Sequence, residues 1–466
     1  MIGVAYPDRY AVDETFQLLK VPYEWYVPGR QYDVVIAHRK DVPGYSGTLI
    51  DLAENDVFQK VADLLNTGRP HQHEPACDIL LDKLRSQLSE KTVLAEIPPA
   101  PYDHPYMVAL THDVDVTSVR ECRFGTVGYA AWRCILQGEA AAGTRILLAR
   151  CGIGTDPWAL FSAWKMLEAG LGVRSTFFFV PKKGDPGILA HRYRAVRYTI
   201  PAGVVEDLTT GGWEAGIHGI DNWTSAGKSR REEVAALGRD HRNPGNRTHW
   251  LLADAMSFRV LDEAGYAYDS TFGYNDDAGF RAGTTQVYRP RGTTNLLELP
   301  LHIQDLGLLG TSCFAPSAGG WERIPCRNLD MPAARSFCDR IIGYAKQYGG
   351  VITLLWHYEN ITPPRDWSNL YSDLVKQAVS DGAWVTTAGQ IVDWFRSRRG
   401  ASLSLTVVEK TVLLRISGLK TLPVPSLQVR LLIDPSSIAG IDAEHRPGNG
   451  YVDIRCSRPE ITVKLR

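Results

Sequence analysis

The spacing of apolar residues along this chain changes from one region to the next, and the changes divide it. Residues 1–97 read as a small α/β unit. YDVVIA (32–37) is strand-like, and DVFQKVADLL (56–65) has helical spacing that Asn66, Thr67 and Gly68 stop. CDILLDKLRSQL (77–88) makes a second amphipathic helix. IPPAPYDHP (97–105) carries four prolines in nine residues, which predicts a stiff extended connector and a first boundary, with a domain and its linker over 1–103. From 107 to about 397 strand and helix signals alternate. Strands are expected at MVALTHDVD (107–115), GVRSTFFFV (172–180), WEAGIH (213–218), YAYDST (266–271), NLLELPLHI (295–303) and GGVITLLWH (349–357). Helices are expected from Thr155-Asp156-Pro157 to Gly170, over 251–265 and over 332–348, with AWVTT and GQIVDWFRS (383–397) closing the series. Near-continuous apolar strands separated by helices imply a parallel sheet with helices outside it, a barrel or a doubly wound sheet. After Arg396 the period falls to two: SLSLTVV, TVLLRI, SLQVRLLI, YVDIRC and EITVKLR predict a β-sandwich module over 398–466. Sugar binding and simple packing fit that module equally well.

The strand ends carry the chemistry. MVALTHDVD runs from apolar residues into Asp113 and Asp115, which an extended chain places on one face. Buried carboxylates are costly unless a cation or a reaction compensates them, although a loop-capping pair is the plainer alternative. His218, Asp269 and His357 stand at the ends of other expected strands, and in barrels the chemistry collects where strands end. Hydrolysing an amide needs an activated water, a place for the oxyanion and an acid for the leaving amine. A metal with open positions, a carboxylate base and a histidine acid supply these. Asp113 and Asp115 offer one base and one ligand, His218 a nitrogen ligand and His357 the acid. The cluster HQHEPAC (71–77) holds His71 and His73 in a Pro-bounded loop without a matching ligand pair, and is read as no metal site.

Composition removes several alternatives. The 466 residues are long for one domain, and 44% hydrophobic with 22% charged is ordinary for a globular protein. A formal net charge of −1 gives no polyanion footprint, so no nucleic-acid partner is expected. The eight cysteines show no CxxC spacing, which suits reduced thiols. No export signal or membrane span is visible, so a cytoplasmic location is expected. CxxC, GxGxxG and a serine-hydrolase elbow are absent.

Taken in order, THDVD, STFFF, GIHGIDNW, RTHWL, YDST and LLWH resemble the motifs of the polysaccharide deacetylase family, whose catalytic region is the NodB homology domain. The resemblance covers residues 104–397 and implies an α/β fold with a distorted (β/α) barrel. It also implies removal of acetyl groups from sugars with one divalent metal ion, commonly zinc. By resemblance Asp113 is the base, Asp115 and His218 are metal ligands, and Arg247 orients the base, a cation there favouring the ionised carboxylate. His357 is the general acid, and Asp269 belongs to the catalytic set. One departure stands out: the family's second histidine is here Asn222, a poor zinc ligand. His249 is expected to supply the third ligand, with Asn222, Asp221 or water alone remaining open. Asn222, Trp250 and Arg281 are expected to contact substrate. GFRAGT (279–284), YRPRG (288–292) and WTSAG (223–227) are expected to line a sugar groove.

The expected function is therefore metal-dependent deacetylation of an N-acetylated sugar, nucleotide- or lipid-linked, as a precursor in cell-surface polysaccharide or O-antigen assembly. A catalytically silent, glycan-binding barrel is the alternative, and another C–N or ester hydrolysis a third. All of this requires Asp115 and His218 to meet; a separation beyond about 8 Å would exclude a shared ion, since ligands sit near 2 Å from zinc.

Overall fold

The computed structural model describes residues 1–68, 72–181, 196–219, 226–237, 244–254, 256–317, 320–419 and 424–466. A nine-stranded, wholly parallel sheet forms its centre. In chain order its strands are β1 (Met107–Val114), β2 (Thr176–Phe179), β3 (Glu214–Gly219), β4 (Gly245–Thr248), β5 (Tyr268–Asp269), β6 (Leu297–Glu298), β7 (Ile303–Gln304), β8 (Val351–Leu355) and β9 (Trp384–Thr386). Their spatial order is β6-β5-β4-β3-β2-β1-β8-β7, with β9 also pairing β1. The two ends of that order, β6 and β7, are consecutive in the chain, and only residues 299–302 join them. So short a connection holds the two edges of the sheet close together, and the sheet must curl into a barrel-like shape. The expected α/β architecture of parallel strands with outer helices is what the chain adopts.

All eight residues of β1 are buried. Met107 and Ala109 pack with Phe178, Tyr268 and Leu297 on the sheet's inner side, whereas Val108, Leu110 and Val114 pack with the surrounding helices. His112, also on the helix side, gives its Nε2 to Glu168 at 2.8 Å. Glu168 is fully buried and also accepts from Ser175, Trp213 and Tyr371. Four donors satisfy a carboxylate that burial would otherwise make costly, and they pin the helix Phe161–Gly170 to β1. Thr111 and Asp113 are left on the inner side. Period two thus decides which carboxylate reaches the site.

Several elements differ from the spacing. The helix expected from Asp156 begins at Phe161; Asp156 instead accepts from Ser118 Oγ and from the Val119 and Trp158 amides, which spends its capping oxygens on a loop. The helix expected over 251–265 spans Ser257–Ala264, because Trp250 and Leu251 have φ of 60° and 51°, outside the helical range. NLLELPLHI splits into β6 and β7 at the barrel's seam. A helical hairpin, Phe124–Leu136 and Ala140–Arg150, had no counterpart in the spacing, since its first helix is apolar around most of its circumference.

The N-terminal unit is a parallel four-stranded sheet with helices Arg9–Leu19, Val57–Thr67 and Ala76–Ser89, two of them capped by Asp8 and Asp56. Its core is continuous with that of the central sheet. The proline segment is buried from Ile97 to Tyr102. Arg398 donates to the carbonyls of Ile97 and Pro98, and the amide of Gly350 donates to Pro99, so these carbonyls serve as a seam. Residues 402–465 form two antiparallel layers, one of which takes Leu94–Glu96 as an edge strand beside Gln428–Leu432.

Candidate metal centre

Among the described residues, the acidic and imidazole side chains that converge tightly enough to hold an ion are Asp115, His218 and His249, whose ligand atoms lie within 4.8 Å of one another. Asp115 follows β1, His218 ends β3, and His249 follows β4, so three strand ends deliver them. His218 Nε2 lies 3.4 Å and His249 Nε2 3.1 Å from Asp115 Oδ1. This is well inside the 8 Å limit set above. The imidazole rings of His218 and His249 stack at 4.5 Å. His218 Nδ1 lies 2.8 Å from the Arg247 carbonyl. A carbonyl only accepts, so Nδ1 carries a proton and Nε2 is the nitrogen turned toward Asp115. Asp115 Oδ1 is buried and has no hydrogen-bond partner among the described residues. A buried carboxylate oxygen facing two imidazole nitrogens is a donor set that suits a divalent metal.

Burial alone would raise the carboxyl of Asp115, yet His249 and His218 beside it hold it well below the usual range. Burial lowers His249. His218 is raised, because Asp113 and Asp115 outweigh its burial.

Asp113 lies beside this group, its Oδ2 3.7 Å from His218 Nε2. Arg247, fully buried at the end of β4, donates Nη1 to Asp113 Oδ1 at 3.0 Å and to Thr111 Oγ1 at 2.8 Å. Its Nε and Nη2 bind the Ser270 carbonyl and hydroxyl, and Phe178 lies under the guanidinium. Arg247, itself fixed by Ser270 and Thr111, thereby holds Asp113 Oδ1 and leaves Oδ2 toward His218.

His357 extends β8 next to β1: the Trp356 and Tyr358 amides donate to the Thr111 and Asp113 carbonyls. Its Nδ1 meets Asp305 Oδ1 at 2.6 Å, while Asp305 Oδ2 accepts from the His357 amide and from Asn360 Nδ2, both at 2.8 Å. Burial lowers His357, but Asp305 more than reverses this and pushes it up to about 10; the charge of Asp115 adds to the rise. Asp305 had not been singled out in the sequence. The usable signal was a carboxylate at a strand end, but β7 is two residues long and shares only Ile303 with the apolar run NLLELPLHI. Glu359 was also missed. Burial and then the charge of Asp115 push its acid up to about 7, and its Oε2 has no hydrogen-bond partner among the described residues.

The remaining expected residues sit differently. Asp269 is fully occupied away from the three ligands: Oδ1 accepts from Asn246 Nδ2 and Thr271 Oγ1, both at 2.7 Å, and Glu298 is hydrogen-bonded to it. Burial raises both acids, and the charge of Asp269 adds to the rise of Glu298. Trp250 packs its ring 3.7 Å from that of His249, at the edge of the site. Arg281 lies over Phe272 and donates to the Gly273 carbonyl, contacts that hold its own loop. GFRAGT and YRPRG meet the N-terminal unit: Cys77 donates to the Gly283 carbonyl and Arg291 pairs with Asp8 at 2.6 Å. Asn222, Asp221 and most of WTSAG lie outside the described residues, as does His71. His73 pairs with Asp277 at 2.8 Å.

No family model and no curated protein sequence matches the chain. Solved structures do. A presumed polysaccharide deacetylase from Mycobacterium smegmatis is 19% identical with a TM-score of 0.41, covering 67% of this chain and 100% of its own. PuuE allantoinase is 13% identical with a TM-score of 0.39, covering 64% and 92%. A presumed polysaccharide deacetylase involved in O-antigen biosynthesis, from Bordetella bronchiseptica, is 17% identical with a TM-score of 0.25, covering 59% and 83%. At such identities the chemistry has to be read from the side chains themselves.

Proposed function

We propose that this chain is a metal-dependent hydrolase that removes the acetyl group from an N-acetylated sugar, an intermediate of cell-surface polysaccharide or O-antigen assembly. The observation that carries the reading is one constellation on adjoining strand ends. Asp115, His218 and His249 converge within 4.8 Å, Asp113 is clamped by Arg247 beside them, and His357 is held by Asp305 on the neighbouring strand. The sugar comes from the resemblance of the ordered motifs to polysaccharide deacetylases.

Asp115, His218 and His249 would hold the ion, and two imidazoles with one carboxylate suit zinc. When bound, it supplies a Lewis acid beside the amide carbonyl and makes nearby water more acidic. Asp113 accepts the proton of the attacking water as its oxygen bonds to the acetyl carbon. Arg247 keeps Asp113 from turning away. His357 has its Nδ1 committed to Asp305, which leaves its Nε2 to deliver a proton to the nitrogen as the C–N bond breaks. Acetate and a free amino sugar result. The protonated state that such a donor needs is the one Asp305 favours.

The silent glycan-binding reading rested on Asn222 in place of a ligand; with His249 beside Asp115, three ligand side chains meet without it. The test is metal content of the purified protein together with acetate release from a panel of N-acetyl sugars. Asp113→Asn should lose activity by about 10²–10⁴-fold with metal content unchanged. A protein that takes up no zinc and releases no acetate from any of the sugars would sink the proposal.

A further inference from the structure

The helical hairpin that follows β1 presents a largely uncovered apolar face among the described residues, with the Arg150 guanidinium 3.9 Å over the Phe124 ring at one end of it. In the helix Phe124–Leu136, Val127, Ala130, Ala131 and Cys134 are buried against the second helix and the barrel. The helices meet closely, since a Cβ on Gly143 would lie 2.7 Å from the Ala131 carbonyl oxygen. At about 100° per residue, Phe124, Ile135, Gly128, Trp132, Gly125, Leu136 and Tyr129 follow one another round the opposite side over roughly 140°, with no polar side chain between them. These are large exposures: Phe124 64%, Trp132 51%, Ile135 54% and Leu136 64%. Leu147, Leu148 and Ile153 on and after the second helix are exposed as well. A helix apolar all round is normally buried on both sides, and an exposed patch of this kind marks a surface that meets something apolar.

Charge selects the occupant. Residues 119–150 carry Arg120, Arg123, Arg133, Arg145 and Arg150 against Glu121 and Glu139, in a chain whose net charge is −1. Glu121 is buried and engaged by Thr117 and Thr199. Arginines flanking a Trp-, Phe- and Leu-bearing helix face match an anionic bilayer surface, where rings and aliphatic chains enter the acyl boundary and guanidinium groups meet phosphates. No helix among the described residues is long and apolar enough to cross a membrane, so the contact lies in the plane of the interface. We infer that the hairpin 124–150 is a docking face for phospholipid bilayers with anionic headgroups.

Beneath it lies a cavity of about 190 Å³ between this helix and the loop 359–365. Tyr129 and Arg133 form one wall, Glu359 and Asn360 the other. Asn360 is bonded to Asp305, the partner of His357, so the bilayer face and the proposed proton donor share a wall. This gives the substrate a class, a sugar carried on a lipid anchor; that extension rests on the deacetylase reading, whereas bilayer docking does not.

The test is co-sedimentation of the full chain with vesicles of phosphatidylcholine alone and of phosphatidylcholine mixed with phosphatidylglycerol. Binding is expected to the mixed vesicles and to weaken as salt is raised. The double variant Trp132→Ser, Leu136→Ser should bind at least about tenfold more weakly, with far-UV circular dichroism and metal content unchanged. The inference is overturned by wild-type protein that ignores both vesicles, or by a double variant that binds as tightly as wild type. It is also overturned by a concentration-dependent dimer that the double variant dissolves, which would assign the face to a second copy. Acetate release from a water-soluble N-acetyl sugar, measured on the same samples, separates the claims. Vesicle binding without acetate release leaves docking standing and removes the hydrolase.

Discussion

Replacing Asp305 by asparagine keeps the shape around His357 and removes one negative charge. Asp305 is fully buried and touches His357 twice, at Nδ1 (2.6 Å) and at the backbone amide (2.8 Å). It is the main reason His357 is raised from an ordinary 6.5 to about 10. A proton donor is present below its pKa and lost as pH rises through it, so in the wild type the donor persists across the neutral range. Without Asp305 the imidazole falls back to about its ordinary 6.5, since burial lowers it while the charges of Asp115 and Glu359 still raise it. At pH 6 most of it is still protonated and the variant should lose little on this account. At pH 8 only about 3% is protonated, which implies a further fall of about 30-fold. The assay is kcat against pH for both proteins, with zinc per chain measured at each pH. Loss of orientation would lower the rate by the same factor throughout. The diagnostic result is therefore an alkaline limb that moves to lower pH. A variant whose deficit is the same at pH 6 and pH 8 would refute the assignment of Asp305 and His357 as the donor pair.

Other outcomes follow from the same geometry. His249→Ala should weaken zinc binding by more than the roughly 10–100-fold that losing a ligand's supporting hydrogen bond costs; calorimetric titration checks this, and unchanged affinity ends the ligand assignment. Arg247→Met leaves Asp113 buried beside an apolar chain and empties four hydrogen bonds. It should cost about 3–5 kcal/mol, read from the denaturant midpoint. Removing metal with a chelator should lower the melting temperature, and zinc should restore it, because the ion binds the folded chain alone; His218→Ala should abolish that recovery.

Some of the site was visible in the chain. Asp113 and Asp115 were marked by sitting where an apolar strand stops; β1 holds Asp113 on its inner side and Asp115 follows directly after it. His218, at the end of β3, and His357, just past the end of β8, were marked by the same signal. Asp269 was marked too, but its neighbours turned it elsewhere: Asn246, Thr271 and Glu298 occupy it, and no local pattern distinguishes a strand-end carboxylate that meets an ion from one that meets an amide. Arg281 and YRPRG are ambiguous for a related reason. Arginine in a loop suits a phosphate and a neighbouring domain equally, and here the neighbours are the Gly273 carbonyl and Asp8.

The sequence by itself determined the alternation of strand and helix, and hence a parallel sheet with outer helices, because burial and backbone hydrogen bonding act over the few residues that a local period reports. It also determined which strands end in titratable groups. What only the tertiary structure decided was which of those ends come together. Asp305 meets His357 from 52 residues away, and Arg247 meets Asp113 across 134. Those pairings depend on the order of strands round the barrel, and that order is fixed by packing of the whole core, which leaves no periodic trace in the chain.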